Sequence, residues 1–370
     1  MSQALNKIKE IYVVGAAKNY ELTSQIIARS KLSNIKEISE EEYLFEIEKN
    51  TNKTSNALAL KVHKGEFARA CPATKSPYLC CQYEIISPFQ NCTIGCHYCV
   101  LQQYLSENCN VVYVDTENIV DEALARYQTL NRKLIRVGTG ELGDSLLFEP
   151  WTLEGVRLAQ AFSKYDHIMF ELKTKTVNIE TLLEIEPPKN CVIAWSLNPQ
   201  TLIDKYEPLA SSLEERIAAA KIVSEKGYRI AFHFDPIIEI ENGEQLYAEV
   251  IKQLSENLSA EKIAWISMGT LRFPPEFSET ISAKYHNSKL FSGEMIRSLD
   301  SKIRYLRSLR INLYKWVATP LQKYLPHVFK YMCMEQATVW QKVFGAAPCD
   351  NEELDAWFAA AVKNNVNSIK

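Results

Sequence analysis

The chain has 370 residues, 46% hydrophobic and 24% charged, with ten cysteines and a formal net charge of −3; this is the make-up of a globular protein with one large domain plus additions, or with two domains. Residues 1–10 hold no apolar signal core and no run nears the ~18 residues of a membrane span, so the chain is expected in the cytoplasm, with its cysteines reduced. The mild negative charge argues against a general nucleic-acid binder and leaves room only for a local basic patch.

Residues 1–80 read as a small N-terminal α/β appendage. Residues 11–14 form a short β-prone run closed by Gly15, residues 22–29 have helical character, and residues 57–62 read as another strand. The acidic, polar segment 37–56 between them suits a connecting surface. From about residue 82 a β/α alternation begins, the pattern of a parallel sheet. Strands are predicted at 83–86, 134–137, 167–175, 192–197, 229–234 and 263–268. Helices are predicted at 115–128, 153–162, 213–227 and 245–258. The third of these starts on the capping box Ser212–Glu215 and stops at Gly227. About six β/α units, fewer than the eight of a closed barrel, make residues 81–290 a partial (β/α)6 barrel with an open side for a large substrate. Residues 291–370 read as a helical C-terminal region, with 336–370 as a terminal cap.

Alternation along the strands groups Glu171 with Lys173 and Lys175, Ser196 with Asn198, and His233 with Asp235. Three successive strands thus carry polar faces near their C-terminal ends, where parallel β/α folds bind ligands.

Between the first two barrel strands lies Cys92-Thr93-Ile94-Gly95-Cys96-His97-Tyr98-Cys99. The C-x3-C-x2-C spacing places three thiolates in one short loop, and Gly95 lets the chain fold tightly. A four-iron cluster normally takes four cysteines, so three leave one iron open for chemistry. Zinc is the structural alternative, but it prefers four closed ligands and His97 is awkwardly placed between Cys96 and Cys99. The spacing is the signature of radical S-adenosylmethionine (SAM) enzymes.

The stretch Cys96-His97-Tyr98-Cys99-Val100-Leu101-Gln102 resembles the cluster loop of the spore photoproduct lyase family. The likeness continues through Lys175, Ser196, Ile203-Asp204-Lys205-Tyr206-Glu207-Pro208, Glu214-Glu215-Arg216 and Gly227-Tyr228 to Asp235-Pro236-Ile237. It implies a partial barrel that binds SAM against a [4Fe–4S] cluster held by Cys92, Cys96 and Cys99, and that makes a 5′-deoxyadenosyl radical. It also implies that Tyr98 packs against the SAM adenine, and that Lys175 and Ser196 contact the SAM carboxylate and ribose region. Gly140 and Glu141, in Gly138-Thr139-Gly140-Glu141 after the second strand, are candidates for close backbone approach to SAM and for binding its ammonium group. His233 and Asp235 are candidates for substrate binding or proton transfer, and Tyr98 is also a catalytic candidate. An ordinary hydrogen-bonded His–Asp pair is the alternative.

Two departures from the family stand out. The lyases carry a hydrogen-donating cysteine where this chain aligns Glu141, and a tyrosine where it has Val100. Cys71 and Cys333 are distant candidates for a replacement donor.

Between Ser301 and Met334 there is no acidic residue. Lys302, Arg304, Arg307, Arg310, Lys315, Lys323 and Lys330 alternate there with Tyr305, Tyr314, Trp316, Tyr324, Phe329 and Tyr331. Cations for phosphates and aromatics for bases make this tract, and above all Arg304, Arg307, Arg310 and Lys315, a candidate DNA surface. A solvated helix face over core aromatics is the other reading. The expected function is radical chemistry on a nucleic acid, with a reductant such as flavodoxin or ferredoxin. Modification of a peptide or small metabolite, and a non-catalytic nucleic-acid-binding protein with a structural cluster, remain open.

Overall fold

The computed structural model describes residues 2–49, 56–72, 76–105, 109–286, 288–291 and 293–364. Its centre is a sheet of seven parallel strands that follow one another in chain order: β1 (Glu84–Ile86), β2 (Ile135–Gly138), β3 (Ile168–Thr174), β4 (Cys191–Ser196), β5 (Arg229–Ile237), β6 (Ile263–Thr270) and β7 (Lys330–Met332). An antiparallel strand, Ala68–Ala70, flanks β1. All residues of β4 and β6 are buried, as expected where helices cover one face of a parallel sheet and side chains fill the other. The partial-barrel expectation therefore holds, with one addition. The seventh strand lies in the region read as helical, and three residues are too short a run for periodicity to reveal.

The helices form for local reasons as well as tertiary ones. Leu213–Lys226 opens on the expected capping box, with the Glu215 amide donating to Ser212 Oγ (3.2 Å) and the Ser212 amide to Glu215 Oε2 (2.7 Å). It ends at Gly227, whose φ of 123° suits glycine. A second capping box corrects the N-terminal reading. Segment 37–56 is not simply a connection, because Ser39 and Glu42 exchange the same two bonds at the head of helix Glu40–Lys49. Residues 50–55 of that segment lie outside the described residues. The acidic Glu40-Glu41-Glu42 run reads as surface loop by composition, yet acidic side chains are favourable in a first helical turn.

The N-terminal sheet runs Ile35–Ile38, Glu10–Val14, Ala57–Lys61, Asn110–Tyr113, Phe89–Gln90. It takes two strands from beyond residue 80, and the three-cysteine loop hangs between those two. The appendage and the barrel are thus stitched together at the loop that matters most.

The C-terminal region corrects the reading of the basic tract. Arg304 does not share a helical face with Arg307 and Arg310, since it lies in strand Ile303–Tyr305 while Arg307 opens helix Arg307–Tyr324. Arg304 is buried against Asp300, and Arg310 is buried in a two-bond pair with Glu335 (2.8 and 3.2 Å). Neither guanidinium is available to a phosphate. Lys330 is buried too, donating to three backbone carbonyls, those of Leu325, Pro326 and Val328. Tyr305, Tyr314, Phe329 and Tyr331 belong to the core. Arg307, Lys315 and Lys323 are exposed. The tract lacks acids only because its two counter-charges, Asp300 and Glu335, stand immediately outside it.

Breaking a buried ion pair by removing one partner leaves the other uncompensated, at a cost of about 3–5 kcal/mol. The Arg310→Leu substitution, measured by denaturant titration, is expected to lose stability on that scale, whereas Arg307→Leu on the exposed face is expected to change it by less than about 0.5 kcal/mol.

Candidate active site

The cysteine loop leaves strand Phe89–Gln90 and is held from several sides. Asn91 donates its amide to the Leu142 carbonyl (2.7 Å) and accepts the Cys92 amide on Oδ1 (2.9 Å). Thr93 Oγ1 donates to the Ala4 carbonyl (2.6 Å), tying the loop to the N-terminus. The His97 amide donates to the Tyr206 carbonyl (2.9 Å) and the Leu209 amide to the Ile94 carbonyl (3.3 Å). Gln102 Nε2 donates to the Cys96 carbonyl (2.7 Å). Gly95 sits at φ 71°, where a side chain would be strained. The loop's conformation is therefore set by the protein itself.

Cys92, Cys96 and Cys99 line one cavity at the C-terminal ends of the barrel strands, and no other cysteine lines it among the described residues. No three His, Cys, Asp or Glu side chains among the described residues are grouped so as to hold a single metal ion. Three separate thiols around a shared cavity suit instead a multi-iron cluster, in which each thiolate takes a different iron. Burial pushes all three thiols up from their ordinary pKa; iron would draw off their protons on binding. The donor set thus fits a [4Fe–4S] cluster with one iron left open.

The wall opposite the loop is organised by a residue that the sequence reading quoted but did not assign. Glu207 is fully enclosed and receives four polar partners. Arg216 Nη2 donates to Oε2 (2.5 Å), while Asn198 Nδ2 (3.1 Å) and the Tyr98 hydroxyl donate to Oε1. Lys175 Nζ lies 3.8 Å from the same Oε1. Burial alone would raise the Glu207 pKa, but the charges of Arg216 and Lys175 and the tyrosine hydrogen bond hold it at about 2. Arg216 is itself anchored to the carbonyls of Ser196 (2.8 Å) and Ser211 (2.8 Å). Tyr247 donates to Asn198 Oδ1 (2.9 Å). One carboxylate thus sets Tyr98, Lys175 and the end of β4 at once.

The remaining candidates fall into two groups. Tyr98, Gly140, Glu141, Lys175, Ser196 and Asp235 line the cavity with the cysteines. Lys175 Nζ stands 5.6 Å from the Tyr98 ring centroid. A Cβ on Gly140 would come within 3.1 Å of Lys173 and Ser145, so the backbone there packs closely. Glu141 already pairs with Arg69 (3.1 Å), so its carboxylate is shared rather than reserved for an ammonium group. His233 does not line the cavity or pair with Asp235. Its Nε2 meets Glu171 Oε1 at 2.7 Å, deeper in the barrel, where Glu171 also accepts from Tyr83 and Trp265. Asp235 is gripped by both terminal nitrogens of Arg272 (2.9 Å each). The hydrogen-bonded His–Asp pair, the alternative reading of these two residues, does not form, because each side chain finds a closer partner on another strand. Arg304 and Arg310 are buried away from this cavity, and Arg307 and Lys315 are surface residues.

Glu207, Arg216, Glu171 and Arg272 went unassigned for one reason. Most of their partners (Tyr98, Lys175, His233, Asp235) meet them only in space, and the nine-residue spacing of Glu207 and Arg216 gives no sign that the pair is buried.

An open parallel barrel with a three-cysteine loop at its mouth is the architecture of a radical SAM protein. The model of the family "Spore photoproduct lyase" matches residues 9–325, and the chain belongs to that family. It is 26% identical over 201 residues to the spore photoproduct lyase of Clostridium acetobutylicum, covering 54% of this chain and 59% of that one. It is 24% identical over 237 residues to that of a Geobacillus species, covering 63% and 65%. For the Bacillus subtilis protein the figures are 26% over 246 residues, 65% and 68%. The alignments with the first two of these span less than two thirds of those relatives. Among solved structures, a spore photoproduct lyase double mutant with bound AdoMet and dinucleoside spore photoproduct superposes with a TM-score of 0.78 at 20% identity, over 88% of this chain and 98% of that one. A spore photoproduct lyase complexed with dinucleoside spore photoproduct gives 0.77 at the same identity and coverage. At that identity the likeness establishes the fold.

A carboxylate whose folded pKa lies below its unfolded value adds stability above the unfolded pKa and loses it as the pH falls through the folded one. With Glu207 moving from 4.5 to about 2, the window runs from roughly pH 5 down to pH 2, for a contribution on the order of 3 kcal/mol. The Glu207→Gln protein is expected to show a flatter stability profile across that window than the parent, measured by urea titration at a series of pH values. Parallel profiles would mean that Glu207 is not the buried anion described.

Proposed function

We propose that this chain is a radical SAM enzyme acting on a nucleic-acid substrate, in the manner of a photoproduct lyase. The observation that carries the reading is the convergence of Cys92, Cys96 and Cys99 with Tyr98, Lys175 and Ser196 on one cavity at the barrel mouth. When bound, a reduced [4Fe–4S] cluster and SAM supply a 5′-deoxyadenosyl radical, which takes a hydrogen atom from the substrate.

The chain's own residues bind, orient and shield. Lys175 offers a point charge for the SAM carboxylate, and its link to Glu207 keeps it aimed at the cavity. The Tyr98 ring provides a flat apolar face, its hydroxyl secured to Glu207 so that the ring does not swing. The close packing behind Gly140 brings backbone to the cavity edge. Lys173 lines the same cavity and adds a second positive charge beside it.

A nucleic-acid substrate is supported by the relatives' names and by one surface feature. Strands Met295–Arg297 and Ile303–Tyr305 form a hairpin, and its turn exposes Leu299 (75% accessible) next to exposed Arg297. An apolar tip beside cations is a means of wedging between bases while holding phosphates. Arg307 follows on the same connection. A peptide or small metabolite is the second reading. It is favoured by Glu141, paired with Arg69 where the lyases carry their hydrogen-donating cysteine.

The test is anaerobic. With the cluster reconstituted and reduced by dithionite, 5′-deoxyadenosine is expected in the parent and not in Cys92→Ala, Cys96→Ala or Cys99→Ala. Its formation is expected to respond to UV-irradiated DNA, with loss of the lesion. Deoxyadenosine at a rate indifferent to irradiated DNA would move the substrate to the peptide or metabolite class. None from a fully loaded cluster would overturn the enzyme reading. Lys175→Met is expected to weaken SAM binding roughly tenfold to a hundredfold, the worth of one charge-assisted hydrogen bond, with iron content unchanged. The double variant Arg307→Ala/Lys315→Ala is expected to reduce the slope of log affinity for DNA against log salt by about 2.

A further inference from the structure

The barrel has a seam between its first and last strands, and the structure closes it with a short ladder. Strand Tyr78–Leu79, before β1, pairs antiparallel with strand Glu335–Gln336, after β7, in the register Leu79 to Glu335 and Gln336 to Tyr78. Cys81 and Cys333 lie two residues beyond this ladder, past Met334 at φ 54°, where the pairing has ended. The two sulfurs share a hydrogen bond. Cys81 is buried and Cys333 partly exposed, and neither lines the SAM-side cavity.

Each sulfur also has a guanidinium beside it. Arg272 Nη2 donates to Cys333 Sγ at 3.6 Å, while the same arginine grips Asp235 of the cavity wall. Arg136 Nη2 donates to the Cys81 carbonyl at 2.8 Å, which keeps its charge next to the Cys81 side chain. Hydrogen bonds with Cys333 and Cys80, and the Arg136 charge, lower the Cys81 pKa, while the bond to Cys81 and burial raise that of Cys333, so Cys81 is the thiolate of the pair. Buried, inert core cysteines need no such company.

We propose that Cys81 and Cys333 form a redox-active dithiol at the barrel seam, a site that reacts with low-molecular-weight disulfides. The pair reacts as one thiol and one thiolate. The thiolate attacks one sulfur of the small disulfide, forming a mixed disulfide and expelling a small thiolate. The second protein thiol passes its proton to that leaving group, and its sulfur displaces the remaining small thiolate. A Cys81–Cys333 disulfide forms, two electrons pass to the small disulfide, and one small thiol and one small thiolate are released. The product locks the loop before β1 to the segment after β7. It also takes away the Cys333 thiol that accepts from Arg272, the residue that holds Asp235 in the cavity wall.

The experiment exposes the anaerobic, cluster-loaded protein to glutathione buffers ranging from fully reduced to fully oxidised. Samples are acid-quenched, alkylated with N-ethylmaleimide and mapped by mass spectrometry after proteolysis. A peptide carrying Cys81 joined to one carrying Cys333 is expected, absent at the reduced end and reversed by dithiothreitol. The Arg136→Gln protein, with its fold checked by circular dichroism, is expected to form the same cross-link several-fold more slowly, because Arg136 lowers the Cys81 thiol pKa. Single glutathione adducts on Cys333 without the cross-link would overturn the proposal, as would a Cys80–Cys81 linkage in its place. The readout does not depend on SAM cleavage, so the dithiol can fail while the proposed activity stands, and the reverse.

Discussion

A single buried carboxylate holds the site in register. Glu207 is shut away from water, and its charge is tolerable only because Arg216, Lys175, Asn198 and Tyr98 all point at it. Those partners come from the cysteine loop, from the segment just beyond β3, from the connection after β4 and from the helix that follows. Remove the anion and each loses its reason to face inward. The same peptide segment receives the loop's backbone, through the Tyr206 carbonyl and the Leu209 amide. Electrostatics and backbone bonding therefore meet at one place. The geometry of three cysteines against one lysine is a consequence of that meeting.

The barrel was readable because its signals are local and repeated. Capping at Ser212 and the stop at Gly227 mark one helix unambiguously, and continuous apolar runs mark the buried strands β4 and β6. The cysteine loop was readable because its three thiols lie within eight residues. What escaped was set by partners far away in the chain. His233 and Asp235 share a strand face, as alternation requires, but Glu171 and Arg272 separate their fates. Strand β7 escaped because its three residues exist as a strand only by lying against β6.

The basic tract teaches a narrower lesson about charge. A window free of acids looks like a cationic surface, yet burial is decided by whether a counter-ion is within reach in space. Asp300 and Glu335 stand just outside the window, on either side, and each neutralises an arginine within it. The exposed cations of the tract, Arg307, Lys315 and Lys323, all lie on helix Arg307–Tyr324. Counting charges along the chain placed on that surface two arginines, Arg304 and Arg310, that the structure buries.

The order of the sheet has a consequence for how the molecule is made. Seven parallel strands succeed one another exactly as they leave the ribosome in sequence, so each new β/α unit finds its neighbour already in place. The seam ladder is the exception, because its two strands lie near opposite ends of the chain and must wait for almost the whole polypeptide. Closing so long a loop is an entropic burden that falls at the end of assembly.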